Sequence, residues 1–349
     1  MSIKSLIAGS LAVSLTMVMP TSAAEILTAE AAGKTGTTYL SMSNLADAVS
    51  SAGVAELQIQ AGQTLTNTLI NVAEGKTDIG VIPIILSFLL KHGRGPYSKQ
   101  GKEAGSKLMD NVRALYPYNF GAHQLISYQS SGITSYKQLV GKTIYNGPPR
   151  GGALVNARQQ LQVVGGLKEG ENYTGIQVNW GQMVKTITDG SADAMMLPLT
   201  FPSNGVVSAL SAGNINVISI PKEIFESEAL QKLTKAPGGA PIEIPAADMG
   251  YSSGVKLISE DGIFRGIVTT GAEIVNKSMS NDMAKAITAA YIANIDKFMA
   301  KAPQVKNIGV AELSAVKSGF CGAVPLKYHP GAVMAWEEAG YKVPDCAKP

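Results

Sequence analysis

The sequence predicts an α/β chain built as two similarly wired lobes, and three observations predict it. A phrase occurs twice, strand-like and helix-like stretches alternate around each copy, and 349 residues suffice for two compact units. The first copy is Leu57-Gln58-Ile59-Gln60-Ala61-Gly62-Gln63, a helix-like stretch, Glu74-Gly75-x-x-Asp78, and a close at Pro83. The second is Ile176-Gln177-Val178-Asn179-Trp180-Gly181-Gln182, a shorter stretch, Asp189-Gly190-x-x-Asp193, and Pro198. The acid, Gly, Asp and Pro recur at an offset of 115 and the Gly-Gln pair at 119, so the second helix is four residues shorter. Four residues are about one helical turn, and losing a whole turn keeps the same face inward. Two such lobes imply a cleft between them.

The N-terminus carries Lys4, an apolar run from Leu6 to Met19, and Ser22-Ala23-Ala24. This reads as a secretory signal peptide, residues 1–24, cut before Glu25. The run is shorter than the roughly 20 residues that span a bilayer, and no cysteine follows it to carry a lipid anchor. A soluble, periplasmic mature protein is expected. The first lobe is then expected over 25–122 and 249–310, the second over 123–248, and a C-terminal segment, 311–349, packs on both.

In the first lobe a strand at Ile26–Ala29 leads into the loop Gly33-Lys34-Thr35-Gly36-Thr37-Thr38. Met42, Leu45, Ala46 and Val49 then recur with helical spacing, and Gly53 ends that helix. A strand from Val54 to Gln60, a helix carrying Leu65, Leu69 and Val72, and a buried strand from Asp78 to Ile82 complete the unit. The second lobe repeats this order. A short helix closes at Gly141, Thr143–Tyr145 is a strand, and Asn146-Gly147-Pro148-Pro149-Arg150-Gly151-Gly152 is the loop. Leu154, Ala157, Leu161 and Val164 give the helical stripe, ended by Gly165-Gly166. The alternation predicts a mostly parallel sheet flanked by helices in each lobe. The chain is expected to cross between lobes near Gly121–Ser127 and to return near Ala247–Lys256, with Ala236–Pro245 a surface loop and Phe264–Asn276 rejoining the first lobe. Met283, Ile287, Tyr291 and Ile295 mark a long helix stopped before Pro303.

Charge and cysteine content exclude several classes. The formal net charge is +3, or +2 without Lys4, and no basic run carries interleaved aromatics, which argues against nucleic acid. His92, His123 and His329 have no metal-ligand spacing, and no cofactor motif is present. Gly-Lys-Thr occurs at Gly33, Gly75 and Gly141, but the glycine that a phosphate loop needs five residues earlier is Thr28, Ile70 or Tyr136. Cys321 and Cys346 lie near the C-terminus and are expected to form one disulfide that pins the tail.

The candidate binding residues follow from helix starts. Backbone N–H groups at a helix N-terminus lack partners and carry partial positive charge, so they suit an anion. Thr35, Gly36, Thr37, Thr38 and Tyr39 open the first helix; Asn146, Pro149, Arg150, Gly151 and Gly152 open its counterpart. Such loops lie at strand C-terminal edges, where open sheets bind ligands. Arg150 adds a planar fork that can hold a carboxylate through two hydrogen bonds. Gln63, Tyr116, Thr200 and Phe201 are further candidates at the expected rims; Tyr39, Tyr118 and Trp180 are aromatics expected there too. Each helix start also reads as an ordinary cap, each aromatic as core, and Arg150 as a solvent-facing or lobe-to-lobe charge. Asp78 and Asp193, being duplicated, read as supports of the helix-to-strand turn. Gly250-Tyr251-Ser252-Ser253-Gly254 matches a nucleophile elbow, with Asp261 or Asp282 and then His329 downstream. The preceding Pro245-Ala-Ala-Asp-Met and the strand-like Val255-Lys-Leu-Ile are the wrong context, so catalysis is not expected.

These residues resemble the TAXI group of extracytoplasmic solute-binding proteins of TRAP-type transporters, over the whole mature chain. The matching phrases are Gly36-Thr37-Thr38-Tyr39, Glu74-Gly75-x-x-Asp78, Leu115-Tyr116-Pro117, Ser131-Gly132-Ile133 and Leu139-x-Gly141-Lys142. They continue with Gly147-Pro148-Pro149, Asp189-Gly190-x-x-Asp193-Ala194 and His329-Pro330-Gly331-Ala332. The resemblance implies a type II periplasmic binding-protein (Venus-flytrap) fold. It also implies a monomer that closes on a small organic anion, such as a dicarboxylate, keto acid or acidic amino acid, and delivers it to TRAP-type permease subunits. A receptor that presents its closed form to a sensor kinase needs the same cleft. One departure stands out: the family usually continues Gly-Pro-Pro with Gly-Ser-Gly-Thr, whereas this chain has Arg150-Gly151-Gly152-Ala153. The lost hydroxyls and added charge favour a different or more strongly acidic ligand.

Overall fold

The computed structural model describes residues 24–34 and 36–349. The expected signal peptide, apart from Ala24, and the candidate Thr35 lie outside the described residues. In chain order the elements are β1 (Glu25–Glu30), α1 (Thr37–Ser51), β2 (Ala55–Gln60), α2 (Leu65–Ala73), β3 (Ile79–Pro83), α3 (Ile85–Lys91), α4 (Gly101–Met109) and β4 (Val112–Tyr128). The second lobe adds β5 (Thr143–Tyr145), α5 (Gly152–Gly165), β6 (Thr174–Ile176), α6 (Met183–Thr188), β7 (Ala194–Leu199), α7 (Asn204–Ala209), β8 (Ile215–Ile218), α8 (Lys222–Phe225), α9 (Glu228–Thr234), β9 (Gly239–Pro245) and β10 (Val255–Ile258). The chain closes with β11 (Ile263–Asn276), α10 (Asn281–Ala293), α11 (Ile295–Lys301), β12 (Lys327–Tyr328) and α12 (Pro330–Glu338).

The repeat is visible in atomic detail. The backbone N–H of Thr28, in β1, donates to Asp78 Oδ2 at 2.8 Å, and that of Thr143, in β5, donates to Asp193 Oδ2 at 2.8 Å. Both pairs are 50 residues apart, so the offset between copies extends back to the first strand of each unit. Each aspartate ties the turn before the third strand of its unit to the first strand. Gly75 and Gly190 turn the chain at φ of 70° and 75°, which a residue with a Cβ adopts only under strain. The shortened second helix appears as α6, six residues against nine in α2.

The strands run in the order β2-β1-β3-β11-β4-β7-β5-β6, one continuous sheet through both lobes. The mostly parallel sheet expected in each lobe is instead mixed. The repeat units themselves pair in parallel, β1 with β2 and β3, and β5 with β6 and β7. The two long strands run antiparallel to most of their neighbours, β11 to β3, β4 and β9, and β4 to β7 and β8, while the two-residue β12 joins β4 in parallel. These two strands join the lobes. β4 pairs with β11 over Val112–Ala122 and with β7 from Ala122 onward. β11 pairs with β9 up to Thr269 and with β3 from Gly271.

The crossing of β4 falls at Gly121. There φ is 138° and a Cβ would lie 2.5 Å from the Leu199 carbonyl carbon, so only glycine lets β4 and β7 approach. The expected return near Ala247–Lys256 is displaced to Thr269–Thr270, which pair with Gly121 and Asn119 across a register shift. Residues 249–268 thus stay with the second lobe, and Met249, Phe264 and Val268 are buried in its core. The stretch 236–245, expected as a surface loop, contributes β9 to that lobe. The first lobe has one core cluster around Met42, Leu69, Val81 and Trp336. The second has one on each sheet face, around Phe201 and Phe264 and around Leu161 and Met196. The long helix expected from Met283 is broken at Asn294 into α10 and α11, then stops before Pro303. A disulfide joins Cys321 to Cys346, as expected, with Cα atoms 5.4 Å apart. Among the described residues no helix is long and apolar enough to cross a membrane.

Candidate functional site

Both candidate helix starts converge on the crossing of β4. Thr37 Oγ1 donates to the Phe120 carbonyl at 3.1 Å, which sets the start of α1 against the strand just before Gly121. His123 Nε2 lies 3.3 Å from the Ala153 carbonyl, which sets the first turn of α5 just after it. Burial pushes His123 down to about 4, so the ring is neutral at neutral pH and donates from Nε2. Phe120 and His123 are three residues apart, about 10 Å along a strand.

Neither helix start has a side-chain cap. Gly36 caps α1 and Gly151 caps α5, each without a side-chain hydrogen bond, whereas α10 and α12 are capped by Ser280 and His329. The first N–H groups of α1 and α5 therefore lack an intrahelical or side-chain acceptor. Thr38 sharpens the case. It is 6% exposed, its Oγ1 has no hydrogen-bond partner among the described residues, and that oxygen is 3.9 Å from where a Cβ on Gly36 would stand. A buried hydroxyl left unpaired costs about 1–3 kcal/mol, a cost that a bound acceptor or donor would remove.

The end of β3 lies against the second helix start. A Cβ on Gly152 would come within 2.8 Å of Ile85 Cγ2, and one on Gly238 within 2.6 Å of the Ile85 nitrogen. Both glycines belong to the second lobe and Ile85 to the first, so the lobes touch here. The backbone completes the contact: Ile84 N–H donates to the Thr270 carbonyl at 2.9 Å, and Thr270 N–H to the Gly238 carbonyl at 3.0 Å.

Other candidates are placed differently. Pro149 and Arg150 are exposed, and Arg150 makes no ion pair among the described residues. Gln63 is half-buried, with its N–H donating to the Ala31 carbonyl at 3.0 Å. Thr200 Oγ1 turns back to the Pro202 carbonyl at 2.8 Å. Asn146 is buried and spent: Nδ2 donates to Glu169 Oε2 at 2.7 Å and Oδ1 accepts from Gln177 at 2.7 Å. Arg158 grips the same carboxylate with two bonds, of 2.8 and 2.7 Å, and holds Glu169 at about 2. A cavity of about 390 Å³ opens beside this network, but its acid already has a cation.

The expected rim aromatics are mostly core. Tyr116 is fully buried and stacks on Tyr291 with ring centroids 3.6 Å apart. Tyr118 is buried beside Phe120, and Phe201 sits edge-on to Phe264 at 4.8 Å. Tyr39 is half-buried against the first-lobe core. Trp180 alone among them is exposed, at 40%. The elbow residues are likewise engaged elsewhere: Asp261 binds Arg265, and His329 caps α12 while facing the Met279 carbonyl.

Sequence reasoning missed two groups. Asn307 Nδ2 donates to the Phe201 and Asp248 carbonyls at 3.0 and 3.1 Å, bridging lobes from a segment without periodicity. Glu273 lies fully buried under α1, where Ser41 Oγ donates to its Oε1 at 2.7 Å and its Oε2 has no partner. Burial pushes this acid up to about 8, with no cation to offset it.

The architecture is similar to that of several solved structures. One is a TRAP periplasmic solute-binding protein from Desulfovibrio salexigens DSM2638 in complex with diglycerolphosphate (TM-score 0.47, 13% identity, 93% of each chain covered). Another is the periplasmic ectoine-binding protein of the TeaABC TRAP transporter of Halomonas elongata (TM-score 0.45, 12% identity, 90% of each chain). A third is a putative sulfonate ABC transporter's periplasmic sulfonate-binding protein SsuA from Methylobacillus flagellatus KT (TM-score 0.46, 14% identity, 82% of this chain and 72% of that one). No curated protein matches this chain. The profile of the NMT1-like family matches residues 30–340, and the chain belongs to that family.

Proposed function

We propose that this chain is a periplasmic solute-binding receptor of the TAXI kind, which captures a small organic anion between its lobes and hands it to TRAP-type permease subunits. The observation that carries the reading is the buried Thr38 hydroxyl, unpartnered among the described residues, in the first turn of an uncapped helix tied to β4 at Phe120, with a second uncapped helix tied to the same strand three residues on, at His123. Free N–H groups and helix dipoles from both lobes favour negative charge at that place. Arg150, exposed and without a carboxylate partner among the described residues, supplies a third anchor on the second lobe. Thr38, Gly36 and Thr37 would hold one end of the ligand; Gly151, Gly152 and Arg150 the other. Closure follows because a ligand bound by both lobes stabilises only the arrangement in which both reach it.

Thermal unfolding against a panel of dicarboxylates, keto acids and amino acids tests this. A ligand at 100 times its Kd adds about 2.7 kcal/mol to stability, so one acid should raise the midpoint clearly. Silence across the panel defeats the reading. With a ligand in hand, Arg150→Ala should weaken it at least tenfold, and an unchanged affinity removes Arg150 from the site.

A further inference from the structure

We infer that residues 303–321 form a clamp on the hinge, and that Asn307 is the residue through which the clamp holds the lobes closed. The segment is rooted in the first lobe: Val305 and Ile308 are fully buried in its core, and Lys301, just before it, pairs with Asp47 on α1 at 2.7 Å. From that root it grips both crossing strands at residues that face each other. The Ile308 carbonyl accepts from the Asn119 N–H at 2.7 Å, and a Cβ on Gly309 would stand 3.0 Å from Asn119 Nδ2. Farther along, a Cβ on Gly319 would stand 2.3 Å from Thr270 Oγ1, and Thr270 is the register partner of Asn119. The Cys321–Cys346 disulfide then fixes the far end to the C-terminal tail, where Lys348 pairs with Glu337 of α12 at 2.8 Å.

Only one side chain of this segment makes a hydrogen bond to the second lobe among the described residues. Asn307 donates both hydrogens of its amide, to Phe201 and Asp248, which belong to two different loops. Those loops support each other, since a Cβ on Gly250 would meet Pro202 Cδ at 2.8 Å. Phe201 follows β7 as Ile85 follows β3, both just beyond the prolines matched by the repeat, Pro198 and Pro83. The Asn307 bonds and the Ile85–Gly152–Gly238 contact therefore lie at equivalent strand ends, on the cleft-facing edge. Opening the cleft parts both. The two contacts report one equilibrium, and losing the first weakens the second although no residue is shared. The clamp acts on closure itself, so it does not depend on which solute is bound.

Hydrogen exchange on the full chain, without added solute, tests this. Asn307→Ala should speed exchange about tenfold in peptides covering 84–86, 151–155 and 236–239, the remote lobe contact, while core segments 112–116 and 194–198 keep their wild-type rates. Asn307→Asp, which keeps the size but removes both donated hydrogens, should do the same and serves if the alanine variant folds poorly. Acceleration confined to 201–203 and 246–250 would make Asn307 a local brace and overturn the inference. Equal acceleration in the core segments would make it a general stabiliser and overturn it too.

Discussion

The two copies of the repeat agree where they build the sheet and differ where they open their first helices. Asp78 and Asp193 do the same work at the same separation, each tying a turn to the first strand of its unit. The helix starts share a glycine at the cap position and the lack of a side-chain cap. One offers Thr37 and the buried Thr38; the other offers glycines beside an exposed arginine. A duplicated feature that keeps its partner is scaffold, and a duplicated position that changes its chemistry is where two lobes can read the two ends of one molecule.

The lobes also differ along β11, one of the two strands they share. In the second lobe β11 carries Arg265, buried but satisfied, with two bonds to Asp261 and one to Glu243. In the first lobe the same strand carries Glu273, buried without a cation. Tyr116 and Tyr118 on β4, Tyr291 on α10 and Ser41 on α1 are the groups around it, and none bears positive charge. The largest expected effect comes from this asymmetry. Between the ordinary glutamate value and about 8 the unfolded chain has released the proton that the folded chain keeps. Unfolding then releases a proton, and stability falls as pH rises through that window. Glu273→Gln keeps the acceptor for Ser41 and removes the titration. Its stability relative to wild type should rise by a few kcal/mol between pH 5 and pH 8.5, measured by denaturant midpoints. A constant difference across that range would mean that Glu273 is ionised in the fold.

The scaffold pair itself can be broken unevenly. Asp78 is half-buried and accepts from both the N–H and the hydroxyl of Thr28, whereas Asp193 is exposed and accepts one N–H. Hydrogen bonds to charged groups contribute about 1.5–3 kcal/mol each, less where water competes. Asp78→Ala should therefore cost about 2–4 kcal/mol and Asp193→Ala about 1 kcal/mol. Equal losses would mean that exposure and the second bond do not matter here.

The repeat and the two helix starts were legible because each has a local signature: a fixed offset, and a Gly-rich stretch before a helical stripe. The return crossing had none. From Phe264 to Val275 β11 is an almost unbroken buried run, so nothing in its residues marks the change of lobe at Thr269–Thr270. Asn146 reads as a loop residue free to bind because the groups that occupy it, Glu169 and Gln177, lie 23 and 31 positions away. Tyr116 and Phe201 sit near strand ends, where a wall residue and a core residue have the same sequence pattern; only the helices packed above them decide. Asn307 could not have been found, since its acceptors are backbone carbonyls and carry no residue identity.

The smallest stability effects belong to the helix starts, and they separate binding from folding most cleanly. Arg150 is exposed and makes no ion pair among the described residues, so Arg150→Ala should change stability by less than about 0.5 kcal/mol. Thr38→Val replaces an unpartnered buried hydroxyl by a methyl of the same shape and should be neutral or stabilising by up to about 1 kcal/mol. Both variants should nonetheless weaken whichever acid stabilises the wild type. If Thr38→Val instead lowers the midpoint without ligand, the hydroxyl has an internal partner and the first helix start is an ordinary part of the core. The difference between the two copies would then lie in the second lobe alone, and Arg150 with its glycines would have to read the ligand by itself.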